Sequence, residues 1–307
     1  MRMVTTQNIT TMVYCVVVIL MHNQLERIMS HKLLSNFPEF EKIAEGLNSD
    51  LLEDFTTYYE ESRFGLELIL ENLLQTSKEV QILEIGSGIG LLSMYLASQG
   101  FQVTSIEPSG TGFGMMSSLQ EHVKKYFGPM ETNYNFHRST IEEYNLDIKY
   151  GFIFSINVFE HVKEPLQSLR KVNLLLEKGG FARIVCPNYA IPYEPHFNIP
   201  IFLSKKFTYL VFRSKVQSFK CFDPIGLWES LNWITITKVR KMLNSESILG
   251  TVTLRATYLY FGRLNEGNQF LTRKGPVFKF LATKTKFILR ILPKRLYPIL
   301  DLKIIKA

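Results

Sequence analysis

Three groups of residues in this 307-residue chain have the types and spacing to do chemistry. The first is Val80-Gln81-Ile82-Leu83-Glu84-Ile85-Gly86-Ser87-Gly88-Ile89-Gly90, an apolar run ending in an acid and close-set glycines, followed by a helical pattern from Leu91 to Leu96. It reads as strand, tight turn and helix N-terminus. Glycines there permit φ > 0 and let a flat polar ligand press on the backbone, because no Cβ intervenes. The second is Glu107, which closes the next apolar run and offers two acceptor oxygens to the hydroxyls of a ribose. The third is a pair of histidines, His161 and His196, the side-chain type best suited to proton transfer near neutral pH.

Glycine turns of this kind serve dinucleotides and other nucleosides alike. The spacing here is Gly86-x-Gly88-x-Gly90, and Leu91 stands where a dinucleotide fingerprint asks for Gly or Ala. A pyrophosphate prefers a helix N-terminus without a competing carboxylate, yet Glu84 directly precedes the turn. A carboxylate in that place suits a cationic or amine-bearing ligand.

The elements that must hold these residues alternate along the chain. Residues 24–75 are helical in pattern, with Phe64, Leu68 and Leu73 on one stripe of the helix that leads into the strand at Val80. A helix of about 91–99 ends at Gly100, a strand runs from Phe101 to Ile106, and a helix of about 113–126 precedes a third strand, Asn133 to His137. Tyr150 to Ile156 is a continuous apolar strand, Pro165 starts a helix of 164–176, and Phe181 to Cys186 is a further buried strand. Strand and helix alternating in this way predict an α/β fold, a Rossmann-like doubly wound sheet with helices on both faces and its ligand at the carboxyl ends of the strands.

Residues 187–233 break the rhythm and read as an inserted cap over that edge. Within it Tyr193, Glu194 and His196 sit in a proline-stiffened loop, the first two as candidate acceptor contacts. Thr235 to Leu243 resumes a helix, Thr251 to Tyr258 reads as a strand, and Asp301 to Lys306 as a last edge strand, for seven strands in a mostly parallel sheet. We divide the chain into an N-terminal helical extension, 1–57, and a main domain, 58–307, with 187–233 and a basic amphipathic piece at 276–300 as insertions.

Composition bounds the function. At 46% hydrophobic the chain can build a large core. The three cysteines, Cys15, Cys186 and Cys221, show no pairing pattern, which indicates a reducing, cytoplasmic compartment and neither a disulfide framework nor a zinc site. Residues 1–199 hold 15 Lys and Arg against 23 Asp and Glu, a balance of −8, whereas residues 200–307 hold 20 against 5, a balance of +15. The basic third asks for an anionic partner such as a membrane surface. In 276–292, Val277, Phe280, Leu281, Phe287, Ile288, Ile291 and Leu292 share one helical side and Lys279, Thr283, Lys286 and Arg290 the other, a pattern of membrane-surface or docked helices. The apolar run Met12 to Met21 is too short to span a bilayer and lacks a cleavage pattern. It reads as a local element on the body, or as sequence upstream of a start at Met21 or Met29.

With these residues in view the sequence resembles the class I S-adenosylmethionine-dependent methyltransferases, in the group that includes the ubiquinone-biosynthesis O-methyltransferases. The resemblance covers about residues 58–190 and rests on Leu83 to Gly90, Ile106-Glu107-Pro108, Ser139-Thr140-Ile141-Glu142, Asn157-Val158-Phe159-Glu160-His161-Val162 and Leu175-Leu176-Glu177-Lys178-Gly179-Gly180. It implies that Gly86, Gly88 and Gly90 pack under the methionine part and ribose, that Glu84 faces the sulfonium end, and that Glu107 holds the ribose hydroxyls. Ile141 would cover the adenine, and Thr140 stands where relatives often carry an acid. Ser87, Pro108 and Asn157 join this contact set, and Arg63, one helix upstream, would reach the ligand's carboxylate. No metal is expected. Asn157 is followed by Val158-Phe159 and not by Pro-Pro-aromatic, which argues against amino-group methylation of DNA.

The expected activity is methyl transfer from S-adenosylmethionine to an oxygen of a small or lipid-linked acceptor of glycosyl or isoprenoid type, with His161 or His196 taking the proton. Two other readings stand beside it. One is a cofactor-binding protein without turnover that acts at a membrane or on a partner. The other is RNA methylation, drawing on aromatics interleaved with Lys and Arg at 205–222, although no RNA-binding module accompanies them and no nucleic-acid partner is expected.

Overall fold

The computed structural model describes residues 27–108, 114–129, 133–220, 223–264 and 292–307. The apolar run Met12 to Met21 and the amphipathic positions 276–291 lie outside them. After α1 (27–35), the chain forms α2 (Phe40–Ile43) and α3 (Ser49–Leu74), 26 residues whose first turn is capped by the Asn48 side chain accepting from Leu51 N at 2.9 Å. Helix α3 runs through position 57/58 without a break. Then follow β1 (Gln81–Ile85), α4 (Leu91–Ser98), β2 (Gln102–Ile106), α5 (Gly114–Phe127), β3 (Tyr134–His137), β4 (Tyr150–Ile156), α6 (Pro165–Leu175) and β5 (Leu176–Pro187).

These strands form one seven-stranded sheet, with β8 (Gly250–Val252) and β9 (Ile299–Ile305), in the order β3-β2-β1-β4-β5-β9-β8. Strands β1 to β5 are parallel, while β9 runs antiparallel to both β5 and β8. The order reverses between β1 and β4, so the crevice for a ligand lies at the carboxyl ends of those two strands. Alternate side chains split the core in two. Ile82, Phe152 and Phe154 pack under α3, α4 and α5, whereas Leu83, Ile153 and Ile184 pack under α6 and α9 (Ile236–Ser245).

Between β5 and α9 lies the stretch expected to cap the sheet. It holds a two-stranded hairpin, β6 (Tyr193–Glu194) and β7 (Ile199–Pro200), then α7 (Lys205–Gln217) and α8 (Pro224–Ser230). These elements bury Tyr189, Phe197, Ile199, Val216, Trp228 and Leu231 in a core of their own.

Two expectations are corrected. Thr251 to Tyr258 is not one strand: β8 stops at Val252 and α10 (Arg255–Leu264) begins three residues on. The β-branched run Thr251-Val252-Thr253 carries a strand signal, but the Asp301 carboxylate accepts from Ala256 N at 2.9 Å and from Thr253 Oγ1 at 2.7 Å, capping a helix instead. Nor is Asp301 to Lys306 an edge strand, because β9 lies inside the sheet between β5 and β8. Arg183 of β5 fixes it there. Its Nε and Nη2 meet both Asp301 oxygens at 3.0 and 2.9 Å, while Nη1 donates to Leu68 O and Asn72 Oδ1 of α3.

Candidate active site

A cavity of about 2030 Å³ opens at the switch point between β1 and β4. Single-ligand clefts occupy about 300–1,000 Å³, so this one has room for a nucleoside and a second substrate together. Its floor is the glycine turn. Gly86, Gly88 and Gly90 all have positive φ (76°, 54° and 78°), and a Cβ on Gly86 would stand 2.2 Å from Val158 Cγ2. That close approach of the β1 turn to the loop after β4 is why the position must be glycine.

Carboxylates line this floor. Glu107, at the end of β2, accepts from Gly88 N at 2.8 Å, and burial lifts its pKa to about 7. Glu84 accepts from the Ser93 hydroxyl of α4, and its own burial, opposed by that bond, lifts it to about 8. The buried Ser87 hydroxyl on the cavity wall has no hydrogen-bond partner among the described residues. An unsatisfied donor, two carboxylates without cationic partners among the described residues and a glycine-rich floor fit a polar, positively charged nucleoside.

Pro108, Thr140, Ile141 and Asn157 also line the cavity. Thr140 Oγ1 accepts from Glu143 N at 3.2 Å, closing the turn that carries the buried Ile141. Asn157 takes the left-handed φ of 55° and donates its amide to Val185 O at 2.8 Å. Gly90 is instead the N-cap of α4, set against the Tyr134 hydroxyl and away from the cavity. Arg63 is not brought in either. Helix α3 turns Asp54, Tyr58, Glu61 and Gly65 to the cavity, a three-and-four spacing that leaves Arg63 exposed on another side, beside Tyr59.

Above the floor the two histidines come together from different elements, with ring centroids 5.3 Å apart. Their electrostatics are opposite. His161, on the loop after β4, meets Ser230 Oγ of α8 at 2.8 Å, and burial with the charges of His196 and Lys205 lowers its pKa to about 3. His196, on the β6–β7 hairpin, meets Glu194 Oε1 through Nδ1 at 2.6 Å. Burial pulls its pKa down, but the bond and charge of Glu194, with the charges of Glu160 and Glu61, raise it above 6.5.

Glu194 is corrected from an acceptor contact to a support. It is fully buried, and its carboxylate is consumed by His196 N and Nδ1, Phe197 N and the Tyr189 hydroxyl. Those bonds outweigh burial and hold its pKa below the usual carboxylate value. Tyr193 remains on the cavity wall, its hydroxyl donating to Asn198 Oδ1 at 2.6 Å.

Glu160 and Asn232 were given no role from sequence. Glu160 is wholly buried, neither oxygen has a hydrogen-bond partner among the described residues, and burial, eased by the charge of His196, raises it to about 7. Glu160, His161 and His196 each bring a potential ligand atom within 4.8 Å of the others, the arrangement among the described residues best able to hold a cation. Asn232 ties the cap to the floor: its Nδ2 donates to Phe159 O and Val162 O at 2.8 and 2.9 Å, and its amide to Glu160 O at 2.7 Å. Glu160 stood inside a quoted motif, but nothing local marked it as unpartnered. Asn232 sits in unpatterned sequence and left no signal.

A doubly wound, mostly parallel sheet with a large cavity at its switch point places the chain in the Rossmann-like fold class. Residues 24–238 match the family described as methyltransferase domain, and the chain belongs to it. An uncharacterized protein of Mycobacterium tuberculosis is 34% identical over 254 residues, spanning 80% of this chain and 85% of that one. The ubiquinone biosynthesis O-methyltransferase of Rickettsia akari is 30% identical over 151 residues, 48% of this chain and 57% of that protein. The Haemonchus contortus phosphoethanolamine N-methyltransferase 2, solved with phosphomonomethylethanolamine and S-adenosylhomocysteine, shares the fold at 14% identity and a TM-score of 0.53, over 88% of this chain and 61% of that one. The methyl donor of the family is S-adenosylmethionine, whose charged, nucleoside-bearing form matches the floor described above. Among the described residues no helix is long and apolar enough to cross a membrane.

Proposed function

We propose that this methyltransferase transfers the methyl group to an oxygen of a small or lipid-linked acceptor, with His196 as the proton acceptor. Glu107 would hold the ribose hydroxyls, Ile141 would cover the adenine, Glu84 would face the sulfonium end, and Ser87 would join the donor's contacts. Bound there, S-adenosylmethionine supplies a methyl on a positively charged sulfur, already activated toward in-line displacement. The protein must align an acceptor and remove its proton. His196 suits this because Glu194 occupies Nδ1 and fixes the ring, leaving Nε2 for the acceptor's hydroxyl, whose proton it takes as the oxygen attacks the methyl carbon. The imidazolium so formed is stabilised by Glu194. His161, held neutral with Nδ1 at Ser230, is suited to orienting the acceptor and not to taking its proton.

The observation that carries this reading is His196 on the cavity wall with buried Glu194 held at its Nδ1. Incubation with methyl-labelled S-adenosylmethionine and fractionated polar and lipid extracts tests it. Labelled ether or ester product is expected from wild-type protein and not from His196→Ala. Full turnover by that variant, or label found only on nitrogen, would sink the assignment.

A further inference from the structure

The cap carries a surface that methyl transfer leaves unused. Five large apolar side chains, Phe202, Leu203, Phe207, Leu210 and Val211, stand exposed within ten consecutive positions, Leu203 at 97% and Leu210 at 71%. At roughly 100° per residue Phe207, Leu210 and Val211 fall in one arc of α7, and Leu203 stands exposed just before the N-cap, Ser204. The opposite side of the helix buries Thr208 and Val216 in the cap. Helix α7 therefore has a conventional inner face and, in addition, an outer apolar stripe with nothing of the described protein on it.

The charge on the segment that carries the stripe is of one sign, with Glu229 of α8 beside Lys205 at its start. Between Glu194 and Asp223 the chain holds Lys205, Lys206, Arg213, Lys215 and Lys220 and no Asp or Glu. Lys205 and Lys215 spend their ammonium groups on backbone carbonyls, the first on Glu229 O and Leu231 O, the second on Asn198 O. Lys206 and Arg213, both exposed, flank the stripe. An apolar strip with a mostly cationic border matches acyl chains beneath anionic headgroups.

We propose that α7 docks on an anionic lipid surface, its outward side chains Phe207, Leu210 and Val211 and the adjoining Leu203 entering the headgroup boundary and Lys206 and Arg213 meeting lipid phosphates. The C-terminal end of the same helix, at Lys215 and Ser218, lines the catalytic cavity, so docking brings a wall of the acceptor chamber to the lipid. Docking does not depend on the identity of the acceptor or on methyl transfer.

Sedimentation of the full-length protein with phosphatidylcholine vesicles containing about one third phosphatidylglycerol tests this. Wild-type protein should pellet with these and not with pure phosphatidylcholine. The double variant Leu210→Glu/Val211→Glu should bind at least about tenfold more weakly, since two apolar anchors are lost. Lys206→Glu/Arg213→Glu should weaken binding and flatten its salt dependence. Leu146→Glu, at another exposed apolar position, should bind as wild type. Thermal unfolding and S-adenosylmethionine binding identify variants that stay folded. Equal pelleting of wild type and Leu210→Glu/Val211→Glu overturns the proposal, as does loss of binding only when Lys279, Lys286 and Arg290 become Glu. A wild-type dimer in light scattering that Leu210→Glu/Val211→Glu dissolves would assign the stripe to a second copy of the chain and overturn it too.

Discussion

His196 Nδ1 and Glu194 Oε1 lie 2.6 Å apart, and the same carboxylate also accepts the His196 amide at 3.1 Å. One buried acid thus fixes both the ring and the backbone that carries it. The sign of the resulting pH dependence is defined. A base must be neutral to act, and Glu194 raises the His196 pKa, so kcat should rise with pH through a midpoint above 6.5. In Glu194→Gln the raising charge is gone, so the midpoint should move to lower pH while kcat falls by roughly 10- to 100-fold. A pH profile whose midpoint does not move would show that Glu194 only props up the loop.

Glu107→Ala should cost S-adenosylmethionine affinity without unfolding the sheet. The carboxylate follows β2 and, among the described residues, accepts one bond, from Gly88 N. Loss of two charge-assisted bonds to a ribose amounts to about 2–4 kcal/mol, a 30-fold or greater rise in Kd by calorimetry. Unchanged affinity would remove Glu107 from the cofactor site.

Gly86→Ala tests the floor. The added methyl meets Val158 at 2.2 Å on a backbone with φ of 76°, so steric and conformational costs add. A loss of about 2–4 kcal/mol in stability is expected from chemical unfolding. Val158→Ala in the same chain should recover the steric part and leave about 1 kcal/mol for the left-handed backbone. No recovery in the double variant would place the damage elsewhere.

Glu160 should make stability fall as pH rises. Its pKa is raised in the folded protein from 4.5 to about 7, so the folded state keeps the proton that the unfolded chain loses. This contribution is intact below pH 4.5 and declines up to about 7, by about 3 kcal/mol if unopposed. Glu160→Gln should flatten the curve across that window and melt higher than wild type at pH 8. An unaltered slope would mean that this carboxyl stays ionised when folded.

The parallel half of the sheet is legible in the amino-acid order because β1, β4 and the second half of β5 are buried on both faces and read as mainly apolar runs, interrupted by Glu84, Ser155 and Arg183. The far half is not. Helix α10 starts where it does because a carboxylate 45 residues ahead meets Ala256 N, and β9 enters the sheet because Arg183 pairs with an acid 118 residues away. No local periodicity encodes either. The site divides the same way. Glycines and acids at strand ends announce themselves by position, whereas the isolation of Glu160 and the burial of Glu194 depend on how the cap folds down. Arg63 belongs to the correct helix but the wrong side of it, a rotation that sequence fixes only once the face toward the sheet is known.

The interior position of β9 shapes how the molecule assembles. Until the segment at Ile299–Ile305 arrives, β5 presents a long unpaired edge carrying Ile184, Val185 and the unneutralised guanidinium of Arg183. Such an edge is sticky toward other chains, and closing it requires a contact across more than a hundred residues, so folding should be slow and prone to intermolecular strand pairing at high concentration. A peptide with the β9 sequence, supplied in excess during refolding, should compete for that edge and trap an incomplete sheet.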